Sequence, residues 1–234
     1  MIPALKQIQD YVLDLIFPPY CLVCGRYDFW LCPECLHKVR PARAQTCAVC
    51  ELPSVNGITH PRCTSVAAMD GLASVCEFSQ IQEIIHSLKY GFVRDLAWAL
   101  GECAAAGLRD RKLDQFFSDF LLLPVPLHPQ RLRFRGFNQS QLLAEALSKN
   151  LGLPIAAPAL ARFKATVPQT TLDKARRREN IRGSIKCLDQ GAIRGKKILL
   201  VDDIATTGAT LNECAKVLKR NGAVMVWAIV LARA

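Results

Sequence analysis

The stretch that decides the fold is Ile198-Leu199-Leu200-Val201-Asp202-Asp203-Ile204-Ala205-Thr206-Thr207-Gly208-Ala209-Thr210. Its first four residues are apolar without a period-2 alternation, the pattern of a strand buried on both faces of a parallel sheet. Asp202 and Asp203 then fall at the carboxyl end of that strand, where open α/β sheets bind ligands. Thr206 to Thr210 supply backbone N–H groups and three hydroxyls directly ahead of a helical pattern. A phosphate placed there meets fixed donors and the positive end of a helix dipole. Gly208 lets the backbone approach it closely. The paired carboxylates suit the other half of such a ligand: they accept hydrogen bonds from two vicinal ribose hydroxyls or face Mg²⁺ through water. The whole pattern reads as a site for a phosphorylated ribose. A buried strand capped by a polar turn is the plainer alternative, and Asp-Asp alone would leave it standing. No Gly-Lys-Ser/Thr follows, so the loop is not a Walker A element.

Working outward, Leu211, Ala215 and Leu218 give a helical stripe, Asn221-Gly222 a C-terminal stop, and Val224 to Val230 another apolar strand, which together make one right-handed βαβ unit. Upstream, Leu72 to Phe78 is expected as a strand. Ile81, Ile84, Ile85 and Leu88 form a helical stripe ending near Lys89-Tyr90-Gly91, and a second helix covers Leu96 to Leu108. Phe120 to Val125 is another buried-type strand. Beyond it, Arg131, Arg133 and Arg135 alternate ahead of Gly136, a spacing suited to a polyanion such as pyrophosphate, and a helix follows from about Gln141 to Lys149. A solvated charge run is the alternative for Arg131 and Arg133.

The amino-terminal third carries a second signal. Cys21-x2-Cys24, Cys32-x2-Cys35, Cys47-x2-Cys50 and His60-x2-Cys63 are four paired-ligand knuckles with eight candidate ligands, enough for two structural zinc sites. Disulfides are the competing reading, disfavoured for a chain expected in the reducing cytoplasm. In sequence order the first site takes Cys21, Cys24, Cys32 and Cys35 and the second takes Cys47, Cys50, His60 and Cys63; an interleaved pairing is equally open at this point. Cys76, Cys103, Cys187 and Cys214 lie singly in apolar surroundings and read as small core residues. Ahead of the first knuckle, Leu5, Ile8, Val12, Leu15 and Ile16 fall at helical spacing among polar residues, an amphipathic helix rather than a secretory or membrane segment. With 234 residues and 51% apolar content the chain can bury a core, whereas its cysteine-rich segment depends on metal. Three parts are expected: an amphipathic helix over 1–18, a double zinc-ribbon module over 19–68 and a ligand-binding domain over 69–234.

The Asp202 to Thr210 segment resembles the signature of type I phosphoribosyltransferases, which bind phosphoribosyl pyrophosphate (PRPP). Arg135-Gly136-Phe137-Asn138-Gln139 narrows the resemblance to the ComF family of competence-associated proteins. Arg162, Thr166, Gln169, Arg176, Arg178 and Asn180 follow the order of that family's next motif, on a polar segment similar to the hood that closes over ligand in these enzymes. Ile185 departs from the pattern, standing where the family carries a Phe. The resemblance spans nearly the whole chain, cysteine knuckles included. It implies an α/β fold of the type I phosphoribosyltransferase kind, with a mostly parallel sheet and helices on both faces. It places Asp202, Asp203 and Arg135 at the reacting centre. PRPP would lie against Ala205, Thr206, Thr207, Gly208, Ala209, Thr210, Arg131, Arg133, Gly136 and Asn138, accompanied by Mg²⁺.

Charge adds a second ligand class. Between His128 and Lys186 there are 12 Lys or Arg against three acids, and this local +9 accounts for nearly all of the chain's +10. Single-stranded nucleic acid seeks such a face, here Arg162, Lys164, Arg176, Arg177 and Arg178, with Phe134, Phe137 and Phe163 available for stacking. Two functions from different classes are therefore expected. One is a PRPP-binding protein that handles incoming single-stranded DNA in natural transformation or DNA uptake beside a helicase or channel protein, as the family resemblance implies. The other is an active, Mg²⁺-dependent phosphoribosyltransferase of nucleotide salvage. No base-specific element is recognisable, and no run reaches the 18 uninterrupted apolar residues of a membrane span.

Overall fold

The computed structural model describes residues 18–234 other than 43, 92, 157, 165–178 and 180. The expected amphipathic helix before the first knuckle therefore lies outside the described residues. The chain divides after Val39 into two units. In the first, Cys21 to Cys24 forms a tight turn and Cys32 N-caps the short helix α1 (Pro33–His37), which starts on Pro33, where a missing N–H costs nothing. The Tyr20 and Tyr27 rings meet edge to face at 5.8 Å, and Arg26 pairs with Glu34.

The second unit begins with the other pair of knuckles and then enters a sheet. Strand β1 (Gly71–Ser74) leads to α2 (Phe78–Tyr90), α3 (Leu96–Asp110) and the single turn α4 (Leu113–Phe116). Strand β2 (Phe120–Pro124) is followed by α5 (Pro129–Arg135) and α6 (Gln139–Leu151), and a two-stranded antiparallel ribbon by β3 (Leu160–Arg162) and β4 (Ile185–Cys187). The chain finishes with β5 (Lys197–Ala205), α7 (Ala209–Arg220) and β6 (Met225–Arg233). The main sheet has the order β1-β6-β5-β2 and every pair in it is parallel.

The uniform burial of β5 follows from that order. Ile198 and Leu200 sit in one cluster with Leu211, Cys214, Ala215 and Leu218 of α7 and with Val226, Ala228 and Val230 of β6. The pleat turns Leu199 and Val201 to the opposite side. α6 packs on β2 and β5, and α3 lies on α6, none of their residues entering the α7 cluster. Helices therefore cover both faces, as expected. Trp227 of β6 meets the Phe116 and Phe117 rings at 5.3 and 5.5 Å. Beneath that indole, Gly71 has room for no side chain: a Cβ there would lie 2.4 Å from the Trp227 ring.

Three expectations change in detail. The strand expected over Leu72 to Phe78 ends at Ser74. The amides of Val75 and Cys76 still donate to Val230 and Leu231 of β6, but Glu77 is the N-cap of α2 and Phe78 its first residue. β5 and β6 both run further than their apolar cores, to Ala205 and Arg233, because their ladder continues past Asp202. Arg131 to Arg135, read from the sequence as alternating arginines just beyond a strand, is a helical turn: Pro129 starts it, the His128 Nδ1 accepts from the Gln130 amide at 3.2 Å, and Gly136 at φ +77° stops it.

Candidate functional site

β2 ends at Pro124, opposite Val201, while β5 continues beside β6 to Ala205. Asp202 and Asp203 thus stand where the sheet has lost its edge strand. The chain leaving β2 turns away into α5 and α6, opening a crevice of about 410 Å³ between that connection and the end of β5. The loop after β5 closes the far wall: Gly208, at φ +66°, is the N-cap of α7, so Thr206 to Thr210 form the collar of that helix's positive end.

The two acids have different partners. Asp203 is 3% exposed, its Oδ1 sits 2.8 Å from the Lys89 Nζ and accepts from the Ile204 amide at 2.7 Å. Its Oδ2 is buried with no hydrogen-bond partner among the described residues. Asp202 Oδ1 accepts from the Ser140 hydroxyl at 2.8 Å and from the Asp203 amide at 3.0 Å. Burial first, and the neighbouring Asp203 charge second, push the Asp202 carboxyl up to about 7, against the pull of Lys89 and Ser140. The opposite wall is cationic. Arg131 and Arg135, four residues apart on α5, both line the crevice. Arg135 donates to Gln139 Oε1, lies over the Tyr90 ring at 5.5 Å, and leaves its buried Nε without a partner among the described residues. Asn138 fixes this wall by capping α6 through the Ser140 amide at 3.1 Å while donating to the Val125 carbonyl at 3.0 Å.

Most expected ligand-binding positions converge here: Asp202, Asp203, Ala205, Thr206, Gly208, Ala209, Thr210, Arg131, Arg135 and Asn138 all line the crevice. Arg133, Gly136 and Thr207 do not. The helical turn points Arg133 to solvent, Gly136 serves as a helix stop, and the Thr207 hydroxyl accepts from the Ala209 amide at 3.3 Å. Arg162, expected on a nucleic-acid face, is instead 6% exposed on β3 and lines the crevice. Lys164 is exposed, and Arg176, Arg177 and Arg178 lie outside the described residues, as do Thr166, Gln169 and Asn180. Phe134 is 71% exposed at the crevice wall, whereas Phe137 is buried. Ile185 is buried in the α7 cluster. Lys89, Tyr90 and Ser140 are site residues that the sequence left unmarked, since their role exists only through contacts with residues far along the chain.

The cysteines form two tetrads, each with its ligand atoms within 4.8 Å of one another: Cys21, Cys24, Cys32 and Cys35 in the smaller unit, and Cys47, Cys50, His60 and Cys63 in the larger. The pairing is sequential. His60 presents Nδ1 to the Cys50 sulfur at 3.3 Å, while Nε2 lies 3.1 Å from the Pro53 carbonyl. A carbonyl partner on one ring nitrogen fixes the tautomer that leaves the other free to ligate. Within each tetrad the thiols differ in acidity. Cys50 is lowered to about 7 by the Leu52 amide, and Cys63 is pushed up to about 11 by burial and its neighbouring thiols. In the first tetrad Cys35 is pushed up to about 12 for the same reasons. Four sulfur and nitrogen donors so placed fit a tetrahedral zinc ion, whose charge displaces the remaining protons.

Residues 144–234 match the phosphoribosyl transferase domain family, and residues 12–76 match the double zinc ribbon domain family. The DNA utilization protein YhgH of Escherichia coli O157:H7 is 30% identical over 225 residues, covering 92% of this chain and 98% of that one. The chain belongs to the ComF/YhgH family. The Salmonella typhimurium YhgH protein is 30% identical over the same length. Competence protein F of Haemophilus influenzae is 37% identical over 111 residues, 46% of this chain and 48% of its own. In this ComF/YhgH protein the fold is that of a type I phosphoribosyltransferase, and the two tetrads are its zinc-ribbon sites.

The second ribbon site is knitted into the sheet. Thr59 donates to the Met69 carbonyl at 2.8 Å, Arg233 of β6 donates to the Thr46 carbonyl at 2.9 Å, and Gly57, at φ +86°, lies so close to β1 that a Cβ would meet the Leu72 oxygen at 1.9 Å. Among the described residues no helix is long and apolar enough to cross a membrane.

Proposed function

We propose that this protein binds PRPP in the crevice and acts in the cytoplasmic handling of incoming single-stranded DNA. The observation that carries the ligand is the placement of Asp202 and Asp203 between two anion-seeking walls. The amides of Thr206 to Thr210 at the head of α7 suit the 5′-phosphate, and Arg131 and Arg135 suit the pyrophosphate. The ribose hydroxyls would donate to the two carboxylates, giving Asp203 Oδ2 the partner it lacks. Mg²⁺ bound with the pyrophosphate would neutralise its charge. Arg162 joins the phosphate-facing wall, which leaves Lys164 and Arg176 to Arg178 as the DNA-facing group. The names of the relatives, DNA utilization protein and competence protein, support the DNA role, as does the +9 charge between His128 and Lys186.

An active phosphoribosyltransferase of nucleotide metabolism is the second reading. It is favoured by Tyr90 and Phe134, half or more exposed on the crevice wall, where a planar acceptor base can stack. Positioning and electrostatic stabilisation of the leaving pyrophosphate by Arg131 and Arg135 would carry the rate.

Calorimetric titration with PRPP and Mg²⁺ should show binding that Asp202→Asn abolishes; equal affinity in the variant refutes the pocket. Pyrophosphate release on adding free purine or pyrimidine bases would establish transfer, and binding without release would favour the DNA-handling role. Charge reversal of Arg176, Arg177 and Arg178 should weaken single-stranded DNA binding and flatten its salt dependence.

A further inference from the structure

Cys76 and Cys103 are 27 residues apart in sequence, and their sulfurs lie 3.5 Å from each other. Neither belongs to a zinc tetrad. Cys76 is 2% exposed, immediately after β1, with its amide donating to the Leu231 carbonyl at 2.7 Å. Cys103, on α3, is partly exposed. The backbone around Cys76 is held from two sides. Pro41 bridges to it, and the Arg111 guanidinium at the end of α3 donates to the Ser74 carbonyl at 2.8 Å and to the Ala42 carbonyl at 3.0 Å. The two sulfurs therefore face each other across a fixed junction between a helix and the edge of a sheet, one reachable from solvent and one not. That asymmetry is the layout of an attacking thiol and a resolving thiol.

We propose that Cys76 and Cys103 form a redox-active dithiol that is oxidised by low-molecular-weight disulfides of the glutathione class. The Cys103 thiolate attacks one sulfur of the reagent, breaking its S–S bond, forming a mixed disulfide on Cys103 and releasing one reagent thiolate. Cys76 then loses its proton and attacks the Cys103 sulfur, forming the protein disulfide and releasing the second reagent thiolate. Two protein thiols are oxidised by two electrons and one reagent disulfide is reduced to two thiols. The site needs only a short approach of the sulfurs, from 3.5 Å to bonding distance, about 2.05 Å. The contact with the Cys76 sulfur holds the Cys103 thiol below its ordinary pKa, which favours the thiolate on the solvent-reachable, attacking side. The bond would close a covalent loop around the whole of α2, which carries Lys89 and Tyr90 into the crevice.

The test uses the full-length, zinc-loaded protein, treated with oxidised glutathione, then alkylated and mapped by peptide mass spectrometry. The expected product joins the Cys76 and Cys103 peptides with no retained glutathione. It raises the melting temperature, and a dithiol reductant reverses both changes. Cys76→Ser should stall with glutathione on Cys103, and Cys103→Ala should leave Cys76 unmodified. If glutathione persists on Cys103 of the parent protein, or cross-links appear only among the ribbon cysteines, the dithiol is refuted. If the parent protein does not react under conditions that oxidise a free thiol control, it is refuted as well.

Discussion

The Lys89 ammonium sits 2.8 Å from Asp203 Oδ1, tying the end of α2 to the central strand at the floor of the crevice. The carboxylate side chain is 4% exposed and the ammonium 20%. A charge so enclosed tolerates loss of its partner badly. Lys89→Met should destabilise the fold by about 3–5 kcal/mol in chemical denaturation, because Asp203 is then buried and unpaired. Lys89→Met combined with Asp203→Leu should recover much of that loss. Equal stability of the single variant and the parent would show that the pair contributes nothing net.

Asp202 gives the protein a pH dependence of known sign. Its carboxyl is held at about 7, above the ordinary value of 3.8, by burial and by the Asp203 charge. A group whose folded value is raised favours the native state fully below the unfolded value. That contribution disappears as pH rises through the folded value. Stability should therefore fall between about pH 4 and pH 7 by a few kcal/mol attributable to this group, at about 1.4 kcal/mol per pH unit. Asp202→Asn should flatten that part of the profile, and thermal melts across the range check it.

Gln45 substitutes for a missing strand. Its Oε1 accepts from the Ser74 amide at 2.9 Å and its Nε2 donates to the Ser74 carbonyl at 2.9 Å, so a side-chain amide pairs the open edge of β1. Gln45→Ala should cost about 1–3 kcal/mol with zinc content unchanged, since the part-buried Ser74 amide loses the acceptor Gln45 supplies while the Ser74 carbonyl keeps the Arg111 guanidinium. A loss of zinc in this variant would mean that Gln45 shapes the tetrad instead.

Metal analysis should return two zinc ions per chain. His60→Ala should lose one of them and His60→Cys should retain it, because a fourth thiolate satisfies the same tetrahedron. The consequences of removal should differ between the tetrads. Losing Cys47 should lower the melting temperature of the larger unit, whose strands β1 and β6 hydrogen-bond to the loops around it. Losing Cys21 should leave that transition in place.

Sequence alone determined the parts whose information is local. The apolar run of β5, the acid pair, the collar of α7 and the Cys-x-x-Cys spacings are each written in a few consecutive residues, because strand burial, helix dipoles and tetrahedral coordination are short-range requirements. The tertiary structure decided what depends on which distant segments meet. Lys89 became a site residue only by reaching Asp203, Ser140 only by reaching Asp202, and Cys76 acquired a neighbour only when α3 folded against the end of β1. The helical turn of α5 sorted its arginines, sending Arg131 and Arg135 to the crevice and Arg133 to solvent, a choice that alternating positions in a sequence do not express. Arg162 was drawn inward for the same reason: β3 pairs with β4 beside the crevice, and a basic residue on that ribbon faces the ligand rather than an outer surface.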